Sequence, residues 1–141
     1  MDYQRNEDTI FVRCDPGEEI LEQLKIVCER ENVRLATISG LGSVTRAVTG
    51  IFDLAEKHFY ATVLEEPMEI GALMGTVTNK DGDVYLHVHA VLGKKDGTAY
   101  TGHLKEGIVM ATAEIVLNLI EGEVGRRFVP ETGLHPMVFQ K

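Results

Sequence analysis

Residues 84–92, VYLHVHAVL, alternate strictly between two kinds of position. Val84, Leu86, Val88, Ala90 and Leu92 form an apolar face of the strand that this period of two predicts. Tyr85, His87, His89 and Val91 form the other face. Residues 9–14, 33–39, 44–51, 58–64 and 68–78 read as further strands, each bounded by turn residues. Residues 108–120 are long enough for helix or strand. There Ile108, Met110, Thr112 and Glu114 alternate with Val109, Ala111, Ala113, Ile115 and Leu117, and the β-branched content favours strand.

The period changes once. Ile20, Leu21, Leu24, Val27 and Cys28 recur at helical spacing, ending near Glu31-Asn32. Ahead of them, Asp15-Pro16-Gly17-Glu18 reads as a helix start, with Asp15 capping, Pro16 at the first helical position and Glu18 reaching back to the cap. Asn79-Lys80-Asp81-Gly82-Asp83 predicts a tight hairpin into the histidine strand. Gly93-Lys94-Lys95-Asp96-Gly97 predicts a second turn, leading to Thr101-Gly102-His103-Leu104. Gly40-Leu41-Gly42-Ser43 reads as a glycine turn between strands. A dinucleotide fingerprint would need glycine where Thr45 stands, and a helix where an alternating run follows. The pattern predicts an α+β fold, one main helix packed on a largely antiparallel β-sheet. It forms a single domain over residues 1–141, with a core at about 9–121 and a solvated tail at 122–141.

Two imidazoles on one strand face, with a third on the following strand, can close a three-nitrogen set on a divalent metal. His87, His89 and His103 are therefore candidate ligands, zinc the candidate ion. Three protein ligands leave open positions for water or substrate, the arrangement of catalytic zinc sites. The alternative is that these histidines are structural and satisfied by hydrogen bonds. Asp81, Asp83, Asp96 and Glu114 are candidate carboxylates to orient ligating imidazoles. Glu69 and Glu114 interrupt apolar runs. They are either solvent-facing positions or groups held by a partner or a metal. His135 lies in the loop-like tail. Cys14 and His58 have no spacing that marks a nucleophile–base pair.

Charge narrows the function classes. A formal net charge of −8 works against phosphate-backbone binding, and Arg126-Arg127 and Lys94-Lys95 are isolated pairs with acids nearby. The cysteines Cys14 and Cys28 form no metal motif and sit among core-type residues, as expected of thiols in a reducing cytoplasm. No apolar run is long enough to span a membrane, and the polar start has no signal core.

Several segments, in order, resemble the PPC (plants and prokaryotes conserved) domain family, whose prokaryotic members are often labelled PD1-like DNA-binding proteins. They are Ser39-Gly40-Leu41-Gly42-Ser43-Val44, Glu69-Ile70 running to Gly75-Thr76-Val77, Leu86-His87-Val88-His89, Gly102-His103-Leu104, and Thr112-Ala113-Glu114-Ile115-Val116-Leu117. The resemblance extends from Ile10 to about Glu121. It implies an α+β domain assembled as a homotrimer and related in fold to acetolactate decarboxylase. That enzyme holds zinc with an HxH pair and a further histidine, so by analogy His87, His89 and His103 are the ligands. Glu69 and Glu114 match acidic positions of the family and are its acid/base candidates here. Two departures stand out. Thr101 precedes Gly102 where members commonly show Gly-Gly-His-Leu, and the AT-hook through which plant members touch DNA is absent. The expectation is a cytoplasmic homotrimer with a divalent-metal site acting on a small oxygenated acid. The rival readings are a non-catalytic interaction module and a transcription-associated DNA-binding module.

Overall fold

The computed structural model describes residues 1–139 of the chain. Its elements are β1 (Asp2–Asn6), β2 (Thr9–Cys14), α1 (Ile20–Arg30), β3 (Ala36–Asp53), β4 (His58–Leu64), β5 (Met68–Lys80), β6 (Asp83–Gly93) and β7 (Ala99–Leu119), followed by the short β8 (Gly125–Arg126) and β9 (Met137–Val138). Seven strands form one sheet in the order β1-β2-β7-β6-β5-β3-β4, and β7 also pairs with β3. Every pairing is antiparallel. The strands β3, β5, β6 and β7 thus each bond to the next and back to the first.

The expected α+β balance is corrected by this architecture, which is 63% strand and 8% helical. The fold is β-rich with a single short helix, for two local reasons. First, β3 runs on for 18 residues, through the turn expected at Gly40–Ser43, and β7 runs on for 21. Gly40-Leu41-Gly42-Ser43 is a bulge inside β3, its register slipping between Gly40 and Gly42. Gly42 has φ +146°, and a Cβ there would run into the Thr112 carbonyl of β7. Second, α1 begins late. Gly17 (φ +85°) donates its N–H to the Val109 carbonyl at 2.9 Å, and Val109 donates back to the Glu18 carbonyl at 3.0 Å. The carboxylate of Glu18 does accept from the Asp15 N–H at 2.8 Å, but it closes a turn against β7. The N-cap is Glu19, which accepts from the Glu22 N–H at 2.7 Å.

The apolar face of β6 is buried as the alternation requires, with Val88, Ala90 and Leu92 in one core with Ile20, Leu24, Val27 and Cys28 of α1. The strand reading of residues 108–120 holds: Val109, Ala113, Ile115 and Leu117 of β7 enter that core. Residues 122–139 are tied to the domain and are not a free tail, and the last two residues of the expected tail lie outside the described residues. Asn79 donates to the Val124 carbonyl at 3.0 Å, Lys57 Nζ donates to the Pro130 carbonyl at 2.8 Å, and β8 pairs with β9. No helix among the described residues is long and apolar enough to cross a membrane.

Candidate metal centre

The register of β5 and β6 aims the histidines. Asp81 (φ 54°) and Gly82 (φ 92°) form a two-residue hairpin turn with both φ values positive, the type I′ geometry that suits strand twist. The Asn79 side-chain oxygen accepts from the Gly82 N–H at 3.0 Å. This turn sets Thr76 opposite His87 and Met74 opposite His89, so both imidazoles leave the sheet on the side away from the core. A second turn, closed by the Lys94 N–H on the Thr98 carbonyl at 2.8 Å, places His89 directly opposite His103 on β7.

The three rings converge. His89 and His103 have centroids 4.2 Å apart, and His87 stacks on His103 at 4.9 Å with 19° between planes. One ligand nitrogen from each ring lies within 4.8 Å of the others. His87 Nε2 and His103 Nδ1 are 3.2 Å apart, so one neutral ring donates and the other accepts. The accepting lone pair is the one a divalent ion would take. Both rings are held neutral. Burial first, then the charges of His89, His87 and Lys105, pushes His103 down to about 4. Burial first, then Arg126, His89 and Lys105, pushes His87 below the usual imidazole range. Metal ligation needs neutral imidazoles, and this donor set supplies them at neutral pH. The residues present fit a divalent ion.

Two glycines make room for His103. Gly50 on β3 stands opposite it, and Gly102 (φ +154°) precedes it. A Cβ on Gly102 would strike the Gly50 carbonyl, and one on Gly50 would strike the Tyr60 carbonyl of β4. Above the rings opens a cavity of about 760 Å³. Phe52, Leu54 and Phe59 give it an apolar wall, while Arg126, Leu134 and His135 of the C-terminal segment close another side. Lys105 reaches over the Phe59 ring at 5.0 Å. No aspartate or glutamate lines it among the described residues.

Residues 1–121 match the Plants and Prokaryotes Conserved (PCC) domain. The chain belongs to that family. Among solved structures, a protein from Bacteroides thetaiotaomicron, provisionally named for DNA binding, superposes with a TM-score of 0.96 at 26% identity, covering 99% of this chain and 98% of that one. A protein from Archaeoglobus fulgidus described as metal-containing superposes with a TM-score of 0.87 at 33% identity, covering 98% of this chain and 97% of its own. The bifunctional protein GlmU of a Synechococcus strain is 29% identical over 133 residues, 92% of this chain and 20% of that protein. The chain thus spans about a fifth of the length of the curated relatives it matches.

Within this PCC domain the carboxylates lie apart from the histidines. Glu114 is exposed on β7 opposite Leu41 of β3 and Arg13 of β2, and lines a separate cavity of about 860 Å³ with Phe11 and Ser39. Glu69 is exposed on β5 between Ser43 of β3 and Gly93 of β6, and lines neither cavity. Asp81 sits in the hairpin tip and Asp83 at the start of β6, and Asp96 accepts from the Thr98 N–H and hydroxyl. Sequence reasoning missed Arg126, Lys105 and Phe59. The only trace of Arg126's role was its place in a late segment that carries apolar residues, Val129, Leu134 and Met137, among its polar ones.

The buried thiols do no chemistry here. Burial pushes Cys14 and Cys28 each up to about 12, far from thiolate formation at neutral pH. Ellman's reagent is expected to leave both unmodified in the folded protein for hours and to titrate both within minutes in denaturant. Rapid labelling of either in the native state would refute that burial.

Proposed function

We propose that this PCC-domain protein is a small cytoplasmic homotrimer that binds a divalent metal, zinc, through His87, His89 and His103, and that the site takes a small oxygenated acid. The observation that carries the reading is the convergence of three imidazoles, two held neutral by their surroundings, with ligand nitrogens within 4.8 Å of one another. The metal-containing Archaeoglobus protein, 33% identical, supports it. When bound, the ion would act as a Lewis acid on a substrate oxygen. The chain's own residues would hold that ion, and Phe52, Leu54 and Phe59 give one side of the cavity an apolar lining. Assembly has its own support: Phe11, Leu41, Met74 and Val91 are exposed at 50%, 57%, 65% and 39% in a single copy. Proton handling by Glu114 or Glu69 requires such assembly, because in one copy both stand outside the histidine cavity.

The test is elemental analysis of protein purified without a histidine tag or chelator, beside the double variant His87→Ala/His89→Ala. The expected result is about one divalent ion per chain, lost in the variant while circular dichroism stays unchanged. Wild-type protein that takes up no zinc, iron or manganese would leave the histidines structural.

A second reading, binding to duplex DNA, draws on the name of the Bacteroides protein. It predicts affinity that falls steeply with salt. The net charge of −8 weighs against it, and a flat binding curve at low ionic strength would end it.

A further inference from the structure

Arg126 differs from the other well-anchored arginines. Arg5, Arg13 and Arg46 each meet a carboxylate: Glu31 at 3.3 Å, Asp15 at 3.0 Å and Glu65 at 3.3 Å. Arg126 is half-buried and meets none among the described residues. Its Nε donates to Thr78 Oγ1 at 3.0 Å, its Nη2 to Thr76 Oγ1 at 3.4 Å, and its Nη1 to the His135 carbonyl at 3.1 Å. The guanidinium carbon lies 4.8 Å from the Tyr85 ring centroid. These contacts use three of the five N–H groups and fix the plane of the fork, leaving two donors for the cavity it lines. Thr76 is the register partner of His87, and Tyr85 shares the histidine face of β6, so the fork is anchored beside the histidines. A partly desolvated cation without an anion is costly unless a ligand supplies one.

Resting on the reading of the histidines as a metal centre, we propose that Arg126 is the anion-holding residue of that site, and that its ligand is an organic carboxylate with an apolar body. The planar fork matches a carboxylate edge to edge. Lys105 adds a second positive charge, and no carboxylate of the chain competes among the lining residues. Phe52, Leu54, Phe59 and Leu134 favour a ligand with an apolar part, and about 760 Å³ is the size of a small-molecule pocket. The residue that selects the ligand therefore comes from the segment after residue 121, outside the stretch that matches the PCC domain.

The experiment is calorimetric titration of the full-length, zinc-loaded protein with phenyllactate, phenyllactamide and inorganic phosphate, with zinc content measured in parallel. Phenyllactate is expected to bind, with the amide and phosphate each weaker by about tenfold or more. Arg126→Gln should lose about tenfold in phenyllactate affinity and keep its zinc. Arg126→Lys, which retains charge and stem but not the fork, should lose several-fold and stands in if the glutamine variant misfolds. Unchanged affinity in the folded variants, equal binding of the amide, or no binding of phenyllactate by zinc-loaded protein overturns the proposal. Phosphate binding tighter than phenyllactate overturns the carboxylate assignment. If the wild type takes up no zinc, the metal reading fails separately. Arg126-dependent phenyllactate binding in that metal-free protein would still uphold the anion site.

Discussion

Gly102→Val is expected to cost about 3 kcal/mol or more of unfolding free energy and to strip the histidine site of metal. Two causes add at this position. The backbone sits at φ +154°, a conformation that a β-branched residue resists. Any Cβ would also drive into the Gly50 carbonyl, backbone held in the sheet between Ala61 of β4 and His103 of β7. Relief requires β7 to move away from β3 at the residue beside His103, and His103 moves with it. Urea denaturation followed by circular dichroism reads the first effect, zinc stoichiometry the second. Thr101→Gly is the control. Thr101 is exposed, so replacing it with glycine is expected to change stability by no more than about 1 kcal/mol. A Gly102→Val protein as stable as wild type and still holding zinc would remove the close approach as the reason for this glycine.

The histidine strand was legible because one short segment carried two independent signals. Alternation over residues 84–92 fixed which side chains leave the core, and Asp81-Gly82 fixed the register that delivers them. The convergence of His103 could be anticipated because it follows one turn later and antiparallel pairing brings the two strands back together. The lengths of β3 and β7 could not be read the same way. Glycine marks both turns and bulges, and Gly40 and Gly42 become a bulge only because β7 passes close enough for its carbonyls to crowd them. The helix start failed for a related reason. Asp15-Pro16-Gly17-Glu18 carries real capping chemistry, but long-range bonds between Gly17, Glu18 and Val109 bind the segment to β7 first.

The acidic candidates show where local sequence stops. Glu69 and Glu114 interrupt apolar runs, which is consistent with either a site or a solvent-facing position, and period-two alternation alone cannot choose. Both side chains are exposed. The positive side of the site was harder still. Arg126 is brought to the histidines by contacts with Thr76 and Thr78, about fifty positions earlier, and no local pattern encodes a contact of that span. What the sequence did contain was an apolar rhythm in the last stretch, with Val129 bonding to Leu134 across a turn.

Zinc-free protein is expected to lose stability as pH falls from about 6.5 towards 4, and His103 is expected to account for most of that loss. The sign follows from which form the fold prefers. His103 is lowered from 6.5 to about 4, chiefly by burial, so the native state holds it neutral while the unfolded chain takes up a proton over that interval. The unfolded state therefore binds more protons, and stability rises with pH through the window. The contribution is complete above about 6.5 and shrinks progressively on acidification. Below about 4 the residue is protonated in both states, and nothing more is lost from it. His87 is lowered for the same leading reason and acts in the same direction. Thermal melts of chelator-treated protein between pH 4 and 7 should therefore be steeper for wild type than for His103→Asn, which carries no titrating group. Zinc binding obeys the same linkage. In the native state His103 takes up a proton only near pH 4, so its protonation should weaken zinc binding only as pH falls towards that value, and calorimetry at pH 7 in buffers of different ionisation enthalpy should detect little proton release. Parallel pH profiles for wild type and His103→Asn would mean that the fold does not lower His103, and release of two or three protons per zinc at pH 7 would mean that the imidazoles are charged in the native protein and the donor set is not ready for a metal.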